Sequence, residues 1–96
     1  MNIKLHPKAQ EDLKEALSYY FKIDLNLEKK FIHYLDLTFS KILDFPNLYQ
    51  YETKTSQKVL MDKFPYIVIY KQYENIIMIL AIFHTNRNPL NLQDRK

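Results

Sequence analysis

The sequence predicts an α+β fold in which an N-terminal helical hairpin packs on a small antiparallel sheet, in the order β-α-α-β-β-β. Three observations support this prediction. Two long segments of the first half carry apolar residues at helical spacing, only a few residues separate these segments, and the second half is rich in Ile, Val and Tyr. The chain has 96 residues, so we expect a single domain over residues 1–96.

The first half begins with a short predicted strand at residues 2–5, and a helix is predicted from about residue 7 to residue 22. Pro7 is well tolerated in the first helical turn, because its missing N–H would have no partner there. His6 precedes it as a poor substitute for the usual N-cap residues. The apolar face of this helix consists of Ala9, Leu13, Ala16, Leu17 and Tyr20.

A second helix is predicted from about residue 27 to residue 45. Asn26 is a favourable N-cap for it, and Pro46 ends it. Its apolar face consists of Leu27, Phe31, Tyr34, Leu35, Thr38, Ile42 and Phe45. Because the connection is short, the two helices should be antiparallel neighbours, and their side surfaces are large enough to meet a partner.

The second half predicts three strands. A short run at residues 57–61 comes first, and a stronger pair follows at residues 66–73 and 76–84. Glu74 and Asn75 form the predicted turn of that pair, because Asn tolerates the left-handed conformation that a two-residue hairpin turn needs.

Composition excludes several kinds of function. The chain has no cysteine, which excludes disulfides, thiolate metal sites and a thiol nucleophile, and it has no glycine, which excludes Gly-rich phosphate loops. Its three histidines lie far apart without metal-ligand spacing, so we expect neither a metal nor a cofactor. The longest apolar run, residues 76–83, is shorter than the about 20 residues that a membrane-spanning helix needs. With no signal peptide visible, we expect a cytoplasmic protein.

Basic and aromatic residues of the second half are candidates for binding. The net charge of +3 is compatible with a nucleic-acid or acidic protein partner but demands neither. Tyr66, Tyr70 and Lys71 are the best candidates for contact with a target, although tyrosines on a half-exposed sheet are more often structural. His84 ends the last strand and Arg87 follows three residues later, a pair that suits proton transfer and anion binding. From composition alone, a solvated chain end is the more common explanation of the same segment.

The segment KFPYIVIYKQYENIIMILAIFHTNRNP, residues 63–89, resembles the C-terminal hairpin of the RelE/ParE superfamily of type II toxins, also called plasmid stabilisation proteins. The shared pattern is a basic residue, Phe-Pro-Tyr, a strand ending in Tyr, a turn, a second strand and His-x-x-Arg-x-Pro. The segment LHPKAQEDLKEALSYY, residues 5–20, resembles the family's first helix. The resemblance covers most of the chain, and β-α-α-β-β-β is the family's fold.

The resemblance implies a growth-inhibiting toxin that is neutralised by a cognate antitoxin. In such pairs the antitoxin wraps the toxin, often over its helical hairpin, so Tyr19, Tyr20 and Phe31 are candidates for antitoxin contact. The antitoxin would also supply the binding of operator DNA, which this chain need not bind itself.

The resemblance leaves the target and the chemistry open. ParE-like members poison DNA gyrase, whereas RelE-type members are metal-independent ribonucleases that cut mRNA on the ribosome. Arg87, His84 and Lys58 are the catalytic candidates for the ribonuclease, but Ile67 stands where such an enzyme keeps an arginine. The departure at Ile67 argues against ribonuclease activity, and the Phe-Pro-Tyr and His-x-x-Arg-x-Pro features separately favour the ParE-like alternative. A third possibility is a non-toxic interaction module of the same fold.

Overall fold

The computed structural model describes residues 1–86, which form the predicted elements in the predicted order. Two helices pack on one face of a four-stranded sheet whose strand order is β1-β4-β3-β2. Within the described residues, neither helix combines the length and apolar character that crossing a membrane requires. The elements are β1 (Asn2–Leu5), α1 (Pro7–Ile23), α2 (Leu25–Asp44), β2 (Ser56–Leu60), β3 (Tyr66–Gln72) and β4 (Ile76–His84).

The sheet is antiparallel over its last three strands and parallel at one edge. β2, β3 and β4 form the predicted antiparallel meander. β1 adds to β4 in parallel, with Asn2 beside Ile76 and Leu5 beside Ile79, so the complete sheet is mixed. The helical hairpin carries the chain from β1 to β2 at the opposite edge of the sheet, and β3 and β4 then lead back until β4 lies beside β1.

The helix boundaries follow their caps. His6 does cap α1, because its Nδ1 accepts a hydrogen bond from the Lys8 N–H at 3.1 Å. The predicted start of α2 at residue 27 is two residues late, because the cap is Asp24 rather than Asn26. The Asp24 carboxylate accepts from the Asn26 N–H at 2.8 Å, and the backbone of Asp24 is extended. A single residue therefore separates α1 from α2.

The β3–β4 turn lies where the sequence predicts it but has another conformation. The Tyr73 N–H donates to the Ile76 carbonyl at 2.8 Å, which brackets Glu74 and Asn75. Lys63, with φ of 69°, is the one residue of the described chain with a positive φ. The left-handed conformation expected at Asn75 is therefore found instead in the loop between β2 and β3.

An aromatic cluster joins the helices to the sheet at the start of β3. The Phe31 ring is fully buried and lies 5.5 Å from the Tyr20 ring, 5.2 Å from the Phe64 ring and 5.0 Å from the Tyr66 ring. Such pairs contribute about 0.5–1.5 kcal/mol each beyond their buried area. On the opposite face of the sheet a smaller apolar cluster consists of Ile67, Ile69, Met78, Leu80, Ala81 and Phe83.

Candidate functional site

A cleft of about 300 Å³ lies between α1 and the end of β4, at the place where the sequence predicts a site. We call it the β4-end cleft. It brings His84 and Tyr66 together with Tyr19, three residues that the sequence singles out for different reasons. Its lining consists of Asp12, Glu15, Ala16, Tyr19, Tyr66, Ile82, His84 and Asn86.

The antiparallel ladder positions His84. Tyr66 and His84 face each other across β3 and β4, and their rings meet edge to face with centroids 5.3 Å apart. His84 Nδ1 accepts a hydrogen bond from the Asn86 N–H at 3.1 Å. In the neutral imidazole the proton then belongs on Nε2, which makes that nitrogen the donor. Arg87, the cation expected beside His84, lies outside the described residues.

Asp12 connects this cleft to the sheet. Pairing of β1 with β4 ends at Ile79, and beyond that point the Asp12 carboxylate accepts the Ile82 N–H at 3.0 Å. Asp12 is only 8% exposed, and Glu15 follows it by one helical turn in the same cleft. The Asp12 side chain therefore accepts a hydrogen bond from β4 that a longer β1 strand would otherwise accept.

Lys58 and Lys71 lie elsewhere, on the sheet face that is turned away from the helices. Lys58 pairs with Ile69 and Lys71 with Ser56, which makes the two lysines diagonal neighbours on that face. Lys58 Nζ forms an ion pair with Glu52 at 2.9 Å, and Lys71 Nζ lies 5.1 Å from the centre of the Tyr73 ring. The fold thus places the catalytic candidates Lys58 and His84 on opposite faces of the sheet.

Ile67 lies on the same outer face as Lys58. Its cross-strand partners are Leu60 and Phe83, and it packs against the apolar cluster of that face. The position at which the resemblance predicts an arginine for a ribonuclease is therefore held by a half-buried Ile with apolar neighbours on both adjacent strands. Among residues 1–86 no three His, Asp or Glu side chains come together where a metal ion could bind.

Tyr70 belongs to the core rather than to a binding surface. It is fully buried, and its hydroxyl donates to the Pro46 carbonyl at 2.6 Å. Burial raises the pKa of Tyr70 to about 12. The sequence suggested that Tyr70 contacts a target, but the side chain has no exposed surface with which to do so.

The three candidates for antitoxin contact differ in exposure. Tyr19 is 59% exposed and its ring packs edge to face on Tyr20, whereas Tyr20 and Phe31 are buried in the aromatic cluster. Burial also raises the pKa of Tyr20. Sequence reasoning missed three exposed apolar side chains near Tyr19, because it sought only the face of each helix that enters the core. These are Phe21, Ile23 and Leu25.

Comparison with known proteins agrees with this architecture. The model of the family described as ParE toxin of type II toxin-antitoxin system, parDE, matches residues 3–89. Toxin ParE2 of Mycobacterium tuberculosis, strain CDC 1551 / Oshkosh, is 27% identical over 88 residues, which is 91% of this chain and 84% of that protein. Toxin ParE2 of strain ATCC 25618 / H37Rv matches with the same values.

A solved structure shares the fold. The structure titled chromosomal ParDE TA system from P. aeruginosa superposes with a TM-score of 0.75 at 17% identity, over 88% of this chain and 95% of that one. The fold is that of a small α+β domain in which two helices pack on a four-stranded mixed sheet. The family match over residues 3–89 is more specific still: the chain belongs to the ParE toxin family of type II toxin–antitoxin systems.

Proposed function

We propose that this chain is a ParE-like toxin that inhibits growth in the cytoplasm by binding an essential target such as DNA gyrase, and that a cognate antitoxin neutralises it. Membership of the ParE toxin family supports the proposal, and the M. tuberculosis relatives are named as toxins. The observation that carries it is the apolar outer face of the sheet. A ribonuclease acting there needs charged groups close to one another.

The outer face offers few such groups among the described residues. Its centre consists of Ile67, Ile69 and Phe83. Of the lysines around this centre, Lys58 is paired with Glu52 and Lys71 lies over the Tyr73 ring. His84, the residue best suited to proton transfer, lies on the other face in the β4-end cleft. An acid and a base that act on one phosphate must both reach it, and this arrangement favours inhibition by binding over RNA cleavage.

The end of the helical hairpin supports an antitoxin partner. Tyr19, Phe21, Ile23 and Leu25 are 59%, 55%, 57% and 47% exposed, and they follow one another around the single-residue connection of α1 and α2. Tyr19 and Ile23 are four residues apart and therefore lie on the same face of α1, and neighbouring exposed apolar side chains of this kind mark sites of protein–protein contact. We assign the antitoxin contact to this surface. Tyr19 is the one residue of this surface that the sequence analysis also names as a candidate for antitoxin contact.

One observation favours the alternative, a ribosome-dependent mRNA endonuclease of the RelE type. Lys58 and Lys71 are diagonal neighbours on adjacent strands, and together they could contact a phosphate backbone. This alternative predicts new mRNA ends during growth arrest and heavy loss of toxicity in Lys58→Ala. The proposed binding mechanism predicts no new mRNA ends and toxicity that Lys58→Ala leaves intact.

Co-induction tests the neutralisation by an antitoxin. The chain is induced alone and together with the cognate antitoxin that the proposal requires, and growth and mRNA ends are followed. We expect arrest with the chain alone, rescue with the antitoxin, and loss of rescue in Tyr19→Glu combined with Ile23→Glu. Glu11→Lys, an exposed change on the same helix, is the control and should still be rescued. Normal growth with the chain alone, despite full expression, would support a non-toxic interaction module instead.

A further inference from the structure

The outer face of the sheet, which is turned away from the helices, carries buried side chains. Ile69, Leu80 and Ala81 are 1%, 2% and 0% exposed, and Phe83 is 9% exposed. Every described hydrophobic residue of this cluster belongs to β3 or β4, and the helices contribute only to the cluster on the other face. A sheet face that is open to water normally carries polar side chains. Burial this complete therefore indicates a cover that the two helices do not supply.

A bulge in β4 adds to the apolar area of the outer face. The register of β3 and β4 shifts between Ile69 and Tyr70, and Leu80 is the extra residue of β4 at that point. Two consecutive residues, Leu80 and Ala81, therefore join the outer cluster, whereas successive residues of a regular strand alternate between the faces. The outer face thus has one more apolar side chain than a regular strand would give it, which favours an apolar cover.

Cross-strand pairing divides the outer face into three rows. The row nearest the end of β4 is apolar, and the row at the start of β4 is basic, because Lys71 of β3 and Lys4 of β1 both pair with Met78. The rows consist of Leu60, Ile67 and Phe83, then of Lys58, Ile69 and Ala81, and then of Ser56, Lys71, Met78 and Lys4. A segment that crosses the face from the end of β4 therefore meets apolar side chains first and ammonium groups last.

The chain leaves β4 beside the apolar row. The Thr85 N–H donates to the Pro65 carbonyl at 2.8 Å, and the Asn86 N–H donates to His84 Nδ1 at 3.1 Å, so the strand ends in a turn. The next apolar side chain that could pack on the sheet is that of Leu90, four positions after Asn86. Four residues span up to about 13 Å, which exceeds the about 10 Å between stacked layers of a protein. The outer face is therefore within reach of Leu90.

The sequence after this turn alternates with the period of the rows. Leu90, Leu92 and Asp94 occupy every second position, and Asn91 and Gln93 lie between them. In an extended segment these two sets of side chains point in opposite directions, and every second residue advances by about 6.7 Å. Neighbouring rows of the sheet are also two residues apart, so the two spacings agree. The set of two leucines followed by one carboxylate matches two apolar rows followed by a basic one.

We propose that residues 90–94 lie extended across the outer face, with Leu90 and Leu92 on the apolar rows and Asp94 on the basic row. The outer face, including the approach to Lys58, is then closed to RNA while the segment is bound. The inference goes beyond the proposed function, because it holds whichever target the toxin inhibits.

Methyl–methyl nuclear Overhauser effects in the unmodified chain test this placement directly. We expect contacts from the Leu92 methyl groups to those of Ile69 and Ala81, and none to Val68, which belongs to the core on the helix side. A sample that mixes isotope-labelled with unlabelled chains separates contacts within one chain from contacts between two. Absence of contacts between Leu92 and the outer face, or contacts that occur only between two chains, would overturn the inference.

Paired charge variants test whether the alternation matters. L90E/L92E places two carboxylates on the apolar rows, whereas N91E/Q93E adds the same charge on the side that faces water. We expect L90E/L92E to unfold at a urea concentration lower by roughly 1 M and to bind more of an apolar dye, because the outer cluster becomes exposed. N91E/Q93E should unfold like the unmodified chain. Equal midpoints for the two variants, both shown by circular dichroism to be folded, would contradict the proposal.

Asp94 tests the direction in which the segment crosses the sheet. Asp94→Asn should shift the amide resonances of Lys71 and Lys4, and Asn91→Asp, a change of the same size on the side that faces water, should not. Shifts near Phe83 instead, or none on the sheet, would contradict the proposed orientation. None of these measurements involves growth or gyrase, so their failure would leave the proposed function standing.

Discussion

At the scale of single residues, Asp12 carries the clearest structural role of any charged side chain in the described chain. Its carboxylate accepts the Ile82 N–H at 3.0 Å in a buried position, where β1 no longer reaches β4. Asp12→Ala leaves that N–H without its acceptor, so we expect the free energy of unfolding to fall by about 1–3 kcal/mol. Urea denaturation followed by circular dichroism measures the change.

Two other substitutions make the Asp12 prediction specific. Asp12→Asn keeps an oxygen acceptor at the same position and should lose less stability than Asp12→Ala. Glu11→Ala changes an exposed neighbour on the same helix and should shift stability by less than about 0.5 kcal/mol. If Asp12→Ala unfolds at the same urea concentration as the unmodified chain, the hydrogen bond to Ile82 contributes nothing to stability.

Tyr70 gives the fold a specific dependence on high pH. Its pKa is raised by burial from 10.0 to about 12, so between these values the unfolded chain loses a proton that the folded chain keeps. The contribution of Tyr70 to stability is therefore complete below pH 10 and decreases as the pH rises toward 12. We expect the free energy of unfolding to decline over this interval.

Tyr70→Phe separates this effect from the titration of other groups. The variant lacks the hydroxyl, so its decline between pH 10 and 12 should be shallower, although its stability at neutral pH is lower because the hydrogen bond to Pro46 is lost. Guanidinium titrations across the pH range measure both slopes. Parallel slopes for the two proteins would show that Tyr70 ionises in the folded state as easily as in the unfolded state.

At the scale of elements, hydrogen bonds from the sheet hold the segment between α2 and β2. Gln57 Nε2 donates to the Pro46 carbonyl at 2.8 Å and to the Tyr49 carbonyl at 2.9 Å, and Gln72 Nε2 donates to Gln57 Oε1 at 2.8 Å. The Pro46 carbonyl also accepts from Tyr70 and Gln72. The segment lacks regular structure, so these side chains fix its position against β2 and β3.

Gln57→Ala should release that segment. We expect faster amide hydrogen exchange in residues 46–56 and a fall of about 1 kcal/mol in the free energy of unfolding, because the part-buried carbonyls of Pro46 and Tyr49 each lose a donor. Lys41→Gln breaks only the exposed ion pair with Asp62 and serves as the control, with little change expected in that segment. Unchanged exchange in Gln57→Ala would mean that Tyr70 and Gln72 suffice to hold it.

The elements themselves were predictable because their signals are local. Helical spacing of apolar residues and β-branched runs define α1, α2, β3 and β4 within a few residues. The predictions are wrong at positions where the interactions of a single side chain determine the backbone conformation. Asp24 caps α2 in place of Asn26, and Lys63 takes the left-handed conformation that the sequence assigned to Asn75. Propensity alone does not show that Lys63 lies between Asp62, which forms an ion pair with Lys41, and the buried ring of Phe64.

At the scale of the whole molecule, the sequence predicted one antiparallel sheet but not the parallel addition of β1, because that pairing joins residues more than 70 positions apart. The same limit applies to the candidate sites. Tyr66 and His84 share a cleft because the β3–β4 ladder pairs them, while Lys58 and Lys71 lie on the other face. The sequence did not predict the cleft between α2 and the β2–β3 loop, because that cleft joins one face of α2 to residues of a distant loop.

We propose that this ParE-family chain acts by binding an essential target rather than by cutting RNA. The most direct measurement is the supercoiling of relaxed plasmid DNA by purified DNA gyrase in the presence of the purified chain. We predict that the chain inhibits supercoiling in a concentration-dependent way, and that prior addition of the cognate antitoxin abolishes the inhibition. Full gyrase activity at every toxin concentration, together with new mRNA ends in arrested cells, would contradict the claim.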